Sequence, residues 1–150
     1  MKICSFFGHR RTPSEIYDDL LQTILSVIET QGVTQFYLGS HGAFDEMSVK
    51  ATLEAKKIHP QIEMLTILTA MPTKNTYIPK YYDGSIYPDG LETVPPRFSI
   101  THRNKWTADN SDIVIGYIQH KSGGAATAYF RAVRRNKLCI NLCPKEEQSF

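Results

Sequence analysis

A chain of 150 residues, 41% hydrophobic and 21% charged, has the make-up of one globular domain with room for a real core. Its formal net charge of +2 is scattered, which excludes the concentrated basic footprint of a dedicated nucleic-acid surface. No apolar run reaches the length of a membrane span, residues 3–7 are too short for a signal peptide, and three cysteines (Cys4, Cys139, Cys143) suit reduced thiols, so a cytoplasmic protein is expected.

A first strand is expected over residues 3–7, ending at Gly8-His9-Arg10-Arg11. Thr12, Pro13 and Glu15 read as a helix start: a hydroxyl N-cap, proline at the first helical position and the glutamate of a capping box. Ile16, Leu20, Leu21, Ile24, Leu25 and Ile28 form one apolar stripe at helical spacing, and Gly32 stops the helix. A short second strand over 35–38 runs into Gly39-Ser40-His41-Gly42-Ala43-Phe44-Asp45, where Asp45 is expected to cap a helix that ends near His59, before Pro60. Residues 62–68 form the third strand.

Residues 70–98 differ, holding five of the eight prolines and four of the eight tyrosines. Proline cannot donate to a sheet ladder, so this insertion is expected to lie outside the sheet, as a mobile flap over a ligand or a homodimer contact. Ser99 or Thr101 then caps a helix through about Asn110 that carries His102, Arg103, Asn104 and Trp106. A buried strand over 113–118 follows, then the polar turn Gln119-His120-Lys121-Ser122. Gly123-Gly124 opens the next helix, which is expected to bury Ala128, Tyr129, Ala132 and Val133. Strand, glycine-rich turn and helix together make an anion site. The free amides of the first helical turn point outward, and glycine lets a phosphate approach the backbone. Residues 138–142 form the last strand.

Five strands alternating with helices imply an α/β fold: a Rossmann-like three-layer sandwich whose mainly parallel sheet has the order 3-2-1-4-5. Its switch point lies between strands one and four. The turns at Gly8–Arg11 and Gln119–Gly124 meet there, with Gly39–Asp45 next door. In that crevice Arg10 is suited to a phosphate, through its planar fork of donors. Ser40 and Thr127 offer hydroxyls to phosphate or ribose, or to their own backbone. His9, His41 and His120 fit as donors to a phosphate. A metal site built from them and Asp45 has no His-x-x-x-His or Cys-x-x-Cys pair behind it, and no metal or cofactor is expected. The tyrosines of 70–98 are suited to stacking on a base or to a dimer surface.

Phe7-Gly8-His9-Arg10, Gly39-Ser40-His41-Gly42-Ala43-Phe44-Asp45, Arg103-Asn104 and Ser122-Gly123-Gly124-Ala125-Ala126-Thr127 resemble the SLOG superfamily. This Rossmann-like group contains the DNA-processing protein DprA and the cytokinin-activating LOG enzymes, and the nearest look is to its small bacterial members. The resemblance covers nearly the whole chain, as a single SLOG-like domain, and implies a crevice for a nucleotide or nucleotide-derived ligand. LOG enzymes cleave the N-glycosidic bond of nucleoside monophosphates. They use a Gly-Gly-x-Gly-Thr turn, a glutamate three residues after the threonine, and an arginine on the preceding helix. Gly123, Gly124 and Thr127 match the turn and Arg103 matches the arginine. Ala126 replaces the third glycine, and Phe130 stands where the glutamate would be. A phenyl ring neither stabilises an oxocarbenium ion nor acts as a base, so LOG-type hydrolysis is not implied.

Residues and resemblance together nominate Gly8, His9, Arg10, Gly39, Ser40, His41, Gly42, Asp45, Arg103, Asn104, Ser122, Gly123, Gly124 and Thr127 as ligand-binding. The leading expectation is a sensor or binding module for a small nucleotide-like ligand. The alternatives are an N-glycosidic hydrolase that uses Asp45, Glu46 or the histidines, and a protein-interaction module built on the Tyr/Pro-rich segment.

Overall fold

Apolar runs and amphipathic stripes fold in alternation in the computed structural model, which describes all residues from Met1 to Phe150. The elements are β1 (Lys2–Gly8), α1 (Tyr17–Gln31), β2 (Val33–Leu38), α2 (Ala43–Ile58), β3 (Glu63–Ile67), β4 (Gly84–Ile86), α3 (Ser99–Asp109), β5 (Ile113–Tyr117), α4 (Gly124–Arg134) and β6 (Leu138–Asn141). No helix is long and apolar enough to cross a membrane.

Every strand pair is parallel, so each crossover must carry the chain back over a face of the sheet. Side chains alternate along the strands and sort the core into two halves. Cys4, Phe6, Phe36 and Leu38 meet α1 and α2 on one face, through Leu20, Ile24, Val27, Phe44, Ala51 and Ala55. Phe7, Val114 and Ile118 meet α3 and α4 on the other, through Ala108, Ala126, Ala128, Tyr129 and Ala132. The three-layer α/β architecture is as expected.

The strand count and order are not. The sheet has six strands in the order β4-β3-β2-β1-β5-β6, where five in the order 3-2-1-4-5 were expected. The added strand is β4, three residues inside the segment expected to stay out of the sheet. It pairs Leu65 with Gly84, Thr66 with Ser85 and Ile67 with Ile86. Pro79 and Pro88 flank these residues and none falls among them, so no ladder donor is lost. Asp83 pins the start, its carboxylate accepting the Met64 N–H at 2.8 Å and Lys56 Nζ at 2.6 Å.

Four local expectations are also corrected. Thr12 caps nothing. Its hydroxyl donates to the His9 carbonyl at 2.6 Å, Pro13 stays extended, and one 3-10 turn over Ser14–Ile16 precedes α1. Neither Ser99 nor Thr101 caps α3; Ser99 Oγ turns back to the Pro96 carbonyl at 2.9 Å. Asp45 lies inside the first turn of α2 rather than ahead of it, and Gly42 holds the cap position. Val133 is 45% exposed, because it lies about 100° around α4 from the buried Ala132.

Candidate functional site

The carboxyl ends of β1, β2 and β5 open into a cleft of about 520 Å³. All the nominated residues line it except Ser40, Gly42 and Thr127. Ser40 lines an adjoining lobe. The Thr127 hydroxyl is exposed and donates to the Gly123 carbonyl at 3.0 Å, a local bond within its own helix.

Two helices begin beside β1, each behind a glycine in backbone territory closed to other residues: Gly42 at φ 99°, ψ −178° and Gly123 at φ 100°, ψ 165°. Their ends differ. At α2 the Ala43 N–H donates to the Arg10 carbonyl at 3.0 Å, and the His41 N–H donates to Asp45 Oδ2 at 2.8 Å. A Cβ on Gly42 would lie 2.8 Å from the Arg10 Cα. That terminus is closed by the protein's own groups. At α4 a Cβ on Gly123 would meet nothing within 4 Å, and one on Gly124 would meet only Asn104 Nδ2, at 3.5 Å. No side chain caps α4, and its first bonded amide is Thr127, to the Gly123 carbonyl at 3.1 Å. The amides of Gly124 and Ala125, both in the cleft lining, have no partner and are free donors at the positive end of the dipole. Gly8 has a different role. A Cβ there would lie 2.2 Å from Phe44 Cγ, so this glycine makes room for the core.

Arg103 is buried, 6% exposed, on the α3 face that lines the cleft. Its Nε donates to Asn104 Oδ1 at 3.0 Å and its Nη1 to the Ile67 carbonyl at 3.5 Å. The five ion pairs of the molecule involve other residues. Asp45 comes near without contact, both groups reaching Gly39: a Cβ there would lie 2.9 Å from Asp45 Oδ2 and 3.3 Å from Arg103 Nη1. Burial lowers the Arg103 pKa and raises that of Asp45, and each charge partly offsets the effect on the other.

His9 ties the β1 turn to the β5 turn. Its Nε2 accepts the Gln119 N–H at 2.9 Å and the His120 N–H at 3.4 Å, and its ring stacks on His120 at 3.9 Å and 14°. Nε2 is therefore the unprotonated nitrogen and no donor to a phosphate. Burial, then the neighbouring His120, holds the His9 pKa below the ordinary value. His120 Nδ1 bonds Ser122 Oγ at 2.9 Å. His41 Nδ1 is buried without a partner, and burial, Arg103 and Arg10 lower the His41 pKa. No group of three or more His, Cys, Asp or Glu side chains is placed to hold a metal ion.

Comparison with solved structures identifies the fold. DprA from Streptococcus pneumoniae superposes with a TM-score of 0.65 at 15% identity, over 92% of this chain and 49% of that one. The molybdenum cofactor carrier protein of Chlamydomonas reinhardtii gives 0.61 at 15%, over 98% and 81%. DprA from Helicobacter pylori gives 0.61 at 17%, over 92% and 63%. The chain shares the fold of these DprA and cofactor-carrier structures. The chain spans about half the length of the Streptococcus protein, and at these identities the likeness is one of fold. No protein-family model and no curated protein matches the sequence.

Within this fold Phe130 has a packing role. It is half-buried, edge-on to Tyr129 at 5.5 Å and to Phe150 at 5.3 Å, and does not line the cleft. Sequence reasoning placed the turn that ends in Arg11 at the crevice without giving Arg11 a role, and missed Tyr37, Ile67, Ile100 and Thr107 in the lining. A signal existed for two of them. Ile100, Arg103, Asn104 and Thr107 fall at three- and four-residue spacing, on one helical face. Tyr37 and Ile67 carry no local signal, since only the sheet order sets the ends of β2 and β3 at this cleft.

Proposed function

We propose that the protein binds a nucleotide or nucleotide-derived phosphorylated ligand at the carboxyl ends of β1 and β5, as a binding or sensing module. One observation carries this reading. The free amides of α4 share a cleft with the buried Arg103, a guanidinium that no carboxylate contacts. Burying a cation that the nearby Asp45 only partly offsets is costly, and an anion between Arg103 and the helix terminus reduces that cost while taking up the free donors. Arg10 and Arg11 add positive charge to the lining.

Two structural neighbours are described by what they hold, one as a molybdenum cofactor carrier and one by its single-stranded DNA binding mode. A cleft with its arginine 6% exposed favours a ligand with a terminal phosphate over a continuous polynucleotide backbone. Phe130 supports binding without LOG-type chemistry.

The test is calorimetric titration with nucleoside monophosphates, NAD, ADP-ribose and a short single-stranded oligonucleotide, with base release followed in parallel. Saturable binding of a phosphorylated nucleotide without base release is the expected result. Release of free base would replace this reading with the hydrolase, and a preference for the oligonucleotide would replace it with nucleic-acid binding. Binding of none would leave the 70–98 segment as a protein-interaction surface.

A further inference from the structure

The cleft continues into a second lobe of about 450 Å³ over the ends of β2 and β3. The lobes share Gly39, His41, Asp45, Ile67 and Arg103, so a ligand can extend from one into the other. Their chemistry differs. Beyond the shared pair Asp45 and Arg103, the first lobe adds Arg10 and Arg11, while the second adds only Glu46 as a charged side chain. A second phosphate is disfavoured there. The second lobe instead gathers Tyr77, Tyr81 and Tyr82. Tyr82 packs against the core, and its ring lies 4.8 Å from that of Tyr81. Tyr81 and Tyr77 are 40% and 81% exposed, an unusual amount of uncovered aromatic surface at a cavity wall. Asp45 stands where the lobes join. Its Oδ2 is taken by the His41 N–H, and its Oδ1 accepts nothing from the protein.

We propose that the second lobe holds the aromatic heterocycle of the phosphorylated ligand, stacked on Tyr77 and Tyr81 and donating an N–H to Asp45 Oδ1. This rests on the anion reading of the first lobe and adds a direction: phosphate toward α4, heterocycle toward β3. Aromatic stacking suits any base, whereas the Asp45 acceptor selects a ring with an N–H on the edge that faces it.

The experiment compares ribose 5-phosphate with the four common nucleoside 5′-monophosphates by calorimetry. The proteins are wild type and the Tyr77→Ala/Tyr81→Ala double variant, whose exposed side chains leave the core untouched; matching thermal melts check this. In wild type at least one monophosphate should bind about tenfold tighter than ribose 5-phosphate, the scale of one base–aromatic stack. The double variant should lose that advantage and keep its affinity for ribose 5-phosphate. An undiminished preference in the variant, or none in wild type, would overturn the heterocycle assignment and leave the anion site standing. Failure of wild type to bind either class would overturn both.

Discussion

His9 is a side chain whose charge state the fold has chosen. As the acceptor for the Gln119 and His120 amides, it cannot take a proton on Nε2 without breaking both bonds. Stacked on His120, it would also bring a charge against a second titratable ring. In the unfolded chain such a histidine takes up its proton near the ordinary value of 6.5, but in the folded protein only at lower pH. Between the two values the unfolded state binds more protons, so stability rises with pH across that window. The contribution is whole above about pH 6.5 and is lost as pH falls through the lowered folded value. His41, also lowered, acts in the same sense. Urea midpoints measured from pH 7.5 to pH 5 should therefore fall with pH in wild type and fall less in His9→Gln. Asp45, whose pKa is raised, titrates in both proteins and cancels from that comparison. Equal slopes would mean that His9 is not the group responsible.

At the scale of elements, two glycines beside the same cleft have opposite uses. The missing Cβ of Gly8 is filled by the Phe44 ring, which joins β1 to α2 across the core. Gly8→Ala forces that ring off its seat and should destabilise the protein by about 1–3 kcal/mol, the usual cost of overpacking. Gly123 faces open space but holds φ 100°, at the head of α4. Gly123→Val puts a branched side chain between the free amides and any anion, and strains one exposed turn at a cost of about 1–3 kcal/mol. It should remain folded and lose nucleotide binding, while Gly8→Ala should still bind once refolded below its shifted midpoint. Wild-type affinity in folded Gly123→Val would show that α4 does not hold the phosphate.

For the molecule as a whole, the 70–98 segment is where the sheet and the cleft meet. β4 fastens its middle to β3, so this part is no free flap. Tyr77 and Tyr81, ahead of β4, line the second lobe. Amide hydrogen exchange should divide the segment accordingly. Residues 84–86 and Leu68, whose N–H donates to the Ile86 carbonyl at 2.9 Å, should be protected without ligand. The amides of Tyr77, Ile78, Lys80 and Tyr81, which have no hydrogen-bond partner in the protein, should slow only when nucleotide is added. Protection of these amides that rises with protein concentration instead would assign those tyrosines to a homodimer contact.

Much of this design is local and so could be read from sequence. Period-two apolar runs and the α1 stripe record which side of each element is buried, because a strand or helix must hide its apolar face whatever lies opposite. Gly32, Gly42 and Gly123 mark where the backbone leaves ordinary territory, and they do so by lacking a Cβ, a property of the residue itself. What the rest of the chain does to each element is not written locally. β4 is three residues with no periodicity, and it exists because Leu65–Ile67 presents a free ladder at the sheet edge. The turns at Gly42 and Gly123 look alike in sequence; only the arrival of the Arg10 carbonyl closes one helix end and leaves the other facing the cleft. Helical spacing alone leaves Arg103 on a surface; the fold sets it against the Ile67 carbonyl at the end of β3 and beside Gly39, and removes it from water. Hydrogen-bond partners, burial of a charge and pairing at an edge depend on residues far apart in the chain, and tertiary structure alone brings those together.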